Sequence, residues 1–265
     1  MAFLSLDEVS MEFPIKGNGS FRALDPISLD VGKNEFVCLI GHSGCGKSTL
    51  LNLIAGLLLP TSGSIRCEDK PVRGPGPDRA MVFQSHALLP WMTCYENVHL
   101  AVKQVFGREL PRAEVREKAE HALRLVHLEH AMRKYPFEIS GGMKQRVGIA
   151  RALAVAPRVL LLDEPFGALD ALTRASLQDE LVRLVESIRS TVVMVTHDID
   201  EAILLSDRVV MMTNGPAARI GDTIDVALPR PRDRLALAAS QQYAGYRQHL
   251  LKFLYQKQGP APTAG

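Results

Sequence analysis

The stretch that decides the fold is GHSGCGKST, residues 41–49, which matches the pattern G-x-x-x-x-G-K-[ST] in full. It follows the apolar run FVCLI (36–40) and opens a helical segment, LLNLIAGLL (50–58), which is the context that the motif requires. Backbone N–H groups at such a helix start bind phosphate oxygens. We therefore predict a nucleotide site in which Lys47 reaches the β- and γ-phosphates and the Ser48 hydroxyl binds Mg²⁺. The other predicted nucleotide contacts of this loop are Gly41, Ser43, Gly44, Cys45, Gly46 and Thr49.

Strands alternate with helices on the C-terminal side of this loop. The run RVLLLDEP (158–165) is apolar until its acidic end, as a parallel strand buried on both faces is. TVVMVTHD (191–198) and DRVVMMT (207–213) are two further strands with a short helix between them. This alternation predicts an α/β fold with a mainly parallel sheet.

Three segments depart from the alternating pattern. The first 40 residues and 62–73 predict a small antiparallel β layer, and 85–150 predicts a helical sub-lobe inserted in the core. We expect one domain over 1–225. The tail 226–265 begins with prolines, turns helical, and is expected to be disordered at its Gly/Pro-rich end, GPAPTAG (259–265).

Composition excludes several functional classes. The 265 residues are 46% hydrophobic and 23% charged, as in soluble globular proteins, and a net charge of +2 argues against nucleic acid as the main partner. No targeting segment is visible, and the most apolar run, 50–60, is too short to span a bilayer, so we expect the chain to reach a membrane only through a partner. The cysteines lack a C-x-x-C pair or zinc spacing and are expected to be reduced thiols in a cytosolic protein, with Cys45 more exposed than Cys38, Cys67 and Cys94.

Polar residues follow the predicted strands at their carboxyl ends, where ligands bind in open α/β sheets. After the 158–165 strand we predict that Asp163 binds Mg²⁺ and that Glu164 activates the attacking water as a general base; helix N-capping is the alternative. His197 is predicted to hydrogen-bond the γ-phosphate, with a structural histidine as the alternative. Gln84 ends the strand RAMVFQ, and its amide is predicted to bind Mg²⁺ or the attacking water.

Two further features point to binding. The segment SHALLPWMTCYENV (85–98) is apolar for a loop, so it is either a partner surface or a loop buried in the helical lobe. Phe13 stacks on adenine or packs in the core; its position alone favours neither. EISGGMKQR (138–146) is a second glycine-marked helix start that suits an anion but has no lysine at its centre.

GHSGCGKST, Gln84, ISGGMKQR, LLLDEP, GALD and His197 follow one another in an order and spacing that resembles the ATP-binding subunit of ABC transporters. The resemblance covers about residues 1–225 and implies a P-loop NTPase of the ABC ATPase type, which hydrolyses ATP with Mg²⁺. It implies two subunits packed head to tail, in which Ser140, Gly141 and Gly142 of each close over the γ-phosphate held by the other. By the same resemblance Asp170 lies at that interface and Phe13 stacks on adenine.

The resemblance also implies partners. These are a second ATPase subunit (the same chain or a paralogue), transmembrane permease subunits that contact the segment after Gln84, and, indirectly, a periplasmic or lipoprotein substrate-binding protein. The chain would then work at the cytoplasmic face of the membrane without nucleic acid. LLPWMTCYENV and PFGALDALTR resemble importers of the nitrate, sulfonate and taurine group, and MMTNGPAARIGDTIDVALPRPRDR looks closest to nitrate, nitrite, cyanate or bicarbonate members.

Three other functions are alternatives to this interpretation. A sulfonate, taurine or pyrimidine-precursor import ATPase would share every motif, whereas the other two alternatives would differ from this sequence. A DNA-associated ABC ATPase would carry a coiled coil or a zinc module between Gln84 and Ser140, where the sequence has no sustained heptads and no zinc cysteines. A small-molecule P-loop kinase would lack the ISGGMKQR stretch and need an acceptor pocket.

Overall fold

A computed structural model describes residues 2–17, 19–167 and 169–256 of the chain. The chain divides into two compact units, of which the first comprises 1–75 and 193–265 and the second 76–192. The predicted disordered end at 259–265 lies outside the described residues.

The first unit contains the predicted antiparallel layer. Its strand order is β2-β1-β4-β5, and both β2 and β4 run antiparallel to β1. Long strands form here because apolar side chains alternate with polar ones, which gives one buried face. The bounds are β1 (Leu4–Ile15), β2 (Gly19–Val31), β4 (Ser62–Cys67) and β5 (Lys70–Pro71).

The first unit also holds the strands that carry the phosphate loop. Their order is β10-β9-β3-β8, with β3 parallel to β9 and β10 antiparallel to β9 at the edge. Every residue of β3 and β8 is buried, in keeping with the apolar sequence of β3 and of the central VVMV of β8. The bounds are β3 (Phe36–Ile40), α1 (Lys47–Ala55), β8 (Thr191–Thr196), α6 (Ile199–Leu205), β9 (Arg208–Met212), β10 (Ile220–Asp225), α7 (Arg234–Ala238) and α8 (Gln241–Gln256).

The second unit combines two parallel strands with the inserted helices. These strands are β6 and β7, which run parallel to each other. Helix α2 begins with a capping box formed by Thr93 and Glu96, and Pro111 precedes the first residue of α3. The bounds are β6 (Arg79–Val82), α2 (Cys94–Phe106), α3 (Arg112–Leu125), α4 (Gly141–Leu153), β7 (Val159–Asp163) and α5 (Ala171–Ile188). The predicted α/β fold class is confirmed, with its antiparallel layer and helical region.

Among the described residues, no helix combines the length and the apolar character that crossing a bilayer requires.

Within the first unit, helix α8 is held against α6 by a polar cluster around Asp200, at the start of α6. The Tyr243 hydroxyl donates to Asp200 Oδ1 at 2.7 Å, and Arg247 Nε donates to the same oxygen at 2.9 Å. Burial and the adjacent Asp200 carboxylate both raise the pKa of Tyr243, so the phenol remains a donor at neutral pH.

We expect Tyr243→Phe to loosen α8, because it removes a hydrogen bond to a carboxylate that stabilises the attachment by about 1 kcal/mol. The measurement is hydrogen exchange of the α8 amides, which should become faster. Tyr255→Phe is the matched control on the same helix, since that side chain is 68% exposed. Equal protection of α8 in the two variants would contradict the prediction.

Candidate functional site

The loop between β3 and α1 has the backbone that a phosphate cradle needs. Gly44 and Gly46 have φ of 78° and 87°, a region that side chains with a Cβ rarely enter. A Cβ atom at Gly46 would also lie 2.6 Å from Leu24 Cδ2, so packing as well as conformation requires glycine there. The first turn of α1 contains no acidic residue, and its positive end is therefore available to an anion.

Lys47 lies across this loop. Its Nζ donates to the carbonyl oxygens of Gly41 and His42, both at 2.8 Å, and the side chain is 6% exposed. The ammonium group is thus held inside the curve of the loop. Ser48, the next residue of α1, is exposed.

The expectation that Cys45 is exposed is wrong. Cys45 is 1% exposed, since its side chain turns inward beneath the loop, where a Cβ atom at Gly41 would lie 2.8 Å from its sulfur. Burial raises the pKa of the Cys45 thiol, so the group is a packed, protonated side chain at neutral pH.

A cavity of about 290 Å³ in the first unit brings His197 together with the start of the phosphate loop. His197 follows β8 directly, and Asp198 caps α6 by accepting from Asp200 N at 2.9 Å. This arrangement fixes the backbone on both sides of the histidine. The cavity lining is Gly41, His42, Ser43, His197, Ile199, Leu251, Leu254 and Tyr255.

Sequence reasoning missed the part of α8 in this cavity. The His42 ring donates from Nε2 to the Leu254 carbonyl at 3.0 Å, and Leu251 and Tyr255 line the same space. The sequence of the tail predicted only a helix, and a helical pattern does not indicate which distant residue the helix contacts. His42 and Leu254 are 212 residues apart along the chain.

In the second unit, Gln84 and Glu164 meet. Gln84 Nε2 donates to Glu164 Oε2 at 3.0 Å, which leaves the amide oxygen of Gln84 for a cation or water. Glu164 follows Asp163, the last residue of β7, and has a φ of 44°. Such a conformation is uncommon for a glutamate and is found preferentially at functional sites. Gln84 lies two residues beyond the end of β6 and not at its end, since the strand stops at Val82.

Asp170 caps helix α5, and this bears on the roles of Asp163 and Glu164. Its carboxylate caps α5, accepting from Leu172 N at 3.2 Å and Thr173 N at 3.0 Å. The hydrogen bonds with Thr173 and Leu172 lower the pKa of Asp170. The N-cap of α5 is therefore Asp170, and capping of this helix does not explain Asp163 and Glu164.

Ser140 caps α4, with its Oγ accepting from Met143 N at 3.3 Å. Ser140 and Gly141 are exposed, and no atom comes within 4 Å of the place where a Cβ of Gly141 would lie. The first turn of α4 contains no acidic residue. This helix start is consequently an open, positively polarised tip with small side chains.

The remaining predicted features are Phe13 and the segment that follows Gln84. Phe13 pairs with Phe21 across β1 and β2 and is half-buried. In the segment after Gln84, buried Asn97 donates to the carbonyls of Leu89, Met92 and Thr93 at 3.0–3.2 Å, whereas Trp91 is 69% exposed. Asn97 thus holds the loop through three backbone carbonyls, while the apolar side chain of Trp91 is exposed.

The geometry agrees with the comparison against family models. The model of the family described as "ABC transporter" matches residues 24–167, more than half of the chain. The chain belongs to the ABC transporter family. Its solved relatives include the dimeric ATP-binding cassette MJ0796 in a post-hydrolysis state bound to ADP and Pi, with a TM-score of 0.77 and 32% identity over 85% of this chain and all of that one. As an ABC ATPase, the chain binds nucleotide and hydrolyses ATP.

Two of the curated relatives match along nearly the full length of both chains. The chain is 58% identical to the nitrate transport protein NasD of Klebsiella oxytoca, over 97% of this chain and 98% of that protein. It is 52% identical to the bicarbonate transport ATP-binding protein CmpD of Synechococcus elongatus, over 96% of this chain and 91% of that protein.

Proposed function

We propose that this chain powers the import of a small inorganic anion, with nitrate as the cargo. The observation that carries the proposal is the 58% identity to a nitrate transport protein along nearly the whole length of both chains. The 52% identity to a bicarbonate transport protein supports an inorganic oxyanion as the cargo, but it does not distinguish nitrate from bicarbonate. None of the motif residues recognises the cargo, because in this family role the chain supplies energy to other subunits.

The uptake of isotope-labelled nitrate tests the cargo. Cells that lack this chain should lose high-affinity nitrate uptake, regain it with the wild-type chain, and fail to regain it with Glu164→Gln. Labelled bicarbonate uptake in the same cells should stay unchanged. Loss of bicarbonate uptake with normal nitrate uptake would reassign the cargo.

For the nucleotide, we propose that the loop N–H groups and Lys47 hold the β- and γ-phosphates. The ammonium group inside the loop and the acid-free start of α1 support this role. Hydroxyl, amide and carboxylate oxygens are ligands suited to Mg²⁺, and Ser48, Gln84 and Asp163 provide one of each. The bound Mg²⁺ would neutralise part of the phosphate charge. Phe13 is the proposed adenine-stacking residue.

We propose that Glu164 accepts a proton from the water that attacks the γ-phosphorus. The new O–P bond forms as the bond to the ADP oxygen breaks, and ADP carries away that electron pair. The hydrogen bond from Gln84 supports this role because it orients the carboxylate. His197 is proposed to hydrogen-bond a γ-phosphate oxygen, which its place in the cavity beside Gly41 and Ser43 supports.

We further propose that two such chains pack head to tail, so that Ser140, Gly141 and Gly142 of one approach the γ-phosphate bound by the other. The exposed tip of α4 supports this arrangement, because an anion placed there by a neighbour would meet the positive end of the helix beside small side chains. Asp170 is the proposed link between the two sites. ATP would then stabilise the dimer, and hydrolysis would release it.

The proposed membrane partner binds the segment that follows Gln84. Exposed Trp91, on a loop fixed by Asn97, suits an apolar helix end of a permease subunit. Through that contact the chain would work at the cytoplasmic face of the membrane, alongside a substrate-binding protein on the other side.

We expect Lys47→Ala to weaken ATP binding by about 10- to 100-fold, because a hydrogen bond to a charged group contributes about 1.5–3 kcal/mol. Isothermal titration calorimetry of the isolated chain measures this loss. Lys33→Ala is the control, since it removes an exposed lysine with the same charge from the same unit. Equal ATP affinity in the two variants would refute the proposed cradle.

A further inference from the structure

The backbone after Gln84 makes a turn with two consecutive left-handed residues, which is uncommon without glycine. His86 and Ala87 have φ of 62° and 44°, and of the two residue types only histidine is enriched in this region. Short local bonds close the turn, from His86 N to Phe83 O at 3.2 Å and from Ala87 N to Ser85 O at 2.7 Å. Two consecutive left-handed residues need support from outside the segment.

Arg151, on α4, provides that support. Its Nη1 donates to the Ala87 carbonyl at 2.7 Å and its Nη2 donates to the His86 carbonyl at 3.3 Å. The planar guanidinium thus bridges the carbonyls of both left-handed residues. A lysine would have to reach both oxygens from a single nitrogen, whereas the guanidinium meets each carbonyl with a separate N–H in a fixed planar fork.

The setting of Arg151 argues against a role as a simple surface charge. Burial lowers the pKa of this guanidinium, and no acidic side chain in the described part of the chain counteracts the effect. Arg151 is half-buried, and the cost of partly desolvating its guanidinium is offset by the hydrogen bonds to the two carbonyls.

Arg151 also connects two parts of the proposed site within the second unit. It lies eleven residues after Ser140 on the same helix, about 16 Å along its axis. Between them, α4 passes close to the turn, since a Cβ atom at Gly148 would lie 3.6 Å from the His86 oxygen. Helix α4 therefore carries the proposed anion-binding tip at its start and, near its end, the arginine that holds the His86–Ala87 turn.

We propose that Arg151 is a positioning residue that holds the His86–Ala87 turn and thereby keeps the Gln84 amide on Glu164. The inference rests on the proposed function, in which Gln84 and Glu164 act in hydrolysis. Release of the turn would let Gln84 leave Glu164, and the carboxylate would lose the hydrogen bond that orients it. The phosphate loop and Lys47, which hold the nucleotide in the proposed function, make none of these contacts, so nucleotide affinity should change little.

A double-mutant cycle with Gln84→Ala tests this chain of contacts. We expect Arg151→Leu to lower kcat by about tenfold or more, since small displacements of positioned groups have effects of this size, and to leave the ATP Kd within about twofold. In the Gln84→Ala background, the same substitution should lower kcat less than about twofold. Arg151→Lys, which keeps the charge and one donor group, should give an intermediate kcat and covers the case in which the leucine variant does not fold.

Arg146→Leu is the matched control, because Arg146 is a partly buried arginine on α4 that donates to the Val126 carbonyl and pairs with Glu180. Its effect on kcat should be the same in both backgrounds. Hydrogen exchange adds a readout that does not need turnover: amides 83–90 should exchange faster in Arg151→Leu and not in Arg146→Leu.

The outcomes distinguish a failure of the positioning role of Arg151 from a failure of the proposed function. Independent effects of Arg151→Leu and Gln84→Ala, or unchanged exchange of amides 83–90, would overturn the positioning role and leave the proposed function intact. Normal turnover in Gln84→Ala alone would refute the role of Gln84 in hydrolysis, and the positioning proposal would fall with it.

Discussion

Glu164→Gln lowers ATP turnover by about 10²–10⁴-fold and leaves ATP binding intact, since this is the usual effect of removing a positioned general base. Glutamine has the size of glutamate, and its carbonyl oxygen still accepts from Gln84 Nε2 at the place where Glu164 Oε2 does so now. What it lacks is a basic oxygen for the proton of the attacking water. The variant should therefore bind Mg-ATP, stop before hydrolysis and remain dimeric in size-exclusion chromatography with Mg-ATP.

The control for this experiment is Glu68→Gln. Glu68 has a φ of 46°, nearly that of Glu164, but lies in the turn between β4 and β5 and is not one of the proposed site residues. The same chemical change on the same backbone conformation should leave turnover within about twofold, as surface substitutions do. If Glu164→Gln hydrolyses ATP at the wild-type rate, or if Glu68→Gln is equally impaired, Glu164 is not the base.

The phosphate loop and its flanking elements were predictable from the sequence, because each step is locally determined. An apolar run of five residues forms a strand buried on both faces, the glycines at 44 and 46 permit the left-handed turn, and Lys47 opens the helix. The antiparallel layer followed in the same way from alternation in β1 and β2. These signals lie within a few residues of each other, so no long-range information is needed.

The features that the sequence could not provide depend on contacts between distant segments. The direction of the Cys45 side chain is set by packing under the loop, and the motif alone gave the opposite expectation. The place of Leu254 beside His42 and that of Arg151 on the His86 and Ala87 carbonyls depend on how whole helices dock. The cargo is a different case: it belongs to partner subunits, and only likeness to relatives informs it.

Ser140→Arg abolishes hydrolysis by the dimer and leaves ATP binding by the single chain unchanged. A long side chain at the exposed tip of α4 would fill the space that the proposed arrangement gives to the neighbour's γ-phosphate, and the bond from Met143 N to Ser140 Oγ would be lost. ATP bound by the loop around Lys47 in the same chain would not meet this change. Calorimetry measures binding and phosphate release measures turnover, with Ser140→Thr, which keeps the capping oxygen, as the control.

Mixing two inactive variants gives the sharpest test of a shared site. In a head-to-tail pair of one Lys47→Ala chain and one Ser140→Arg chain, one site combines both defects, and the other combines an intact loop with an intact helix tip. An equal mixture should therefore recover up to about a quarter of wild-type turnover, since half of the dimers are mixed and each has one intact site. The control is an equal mixture of wild type with a chain that carries both substitutions: its mixed dimers have no intact site, so turnover per wild-type chain should fall to about half. If the mixture of single variants stays as inactive as its components, each chain completes its own site, and the proposed arrangement is wrong.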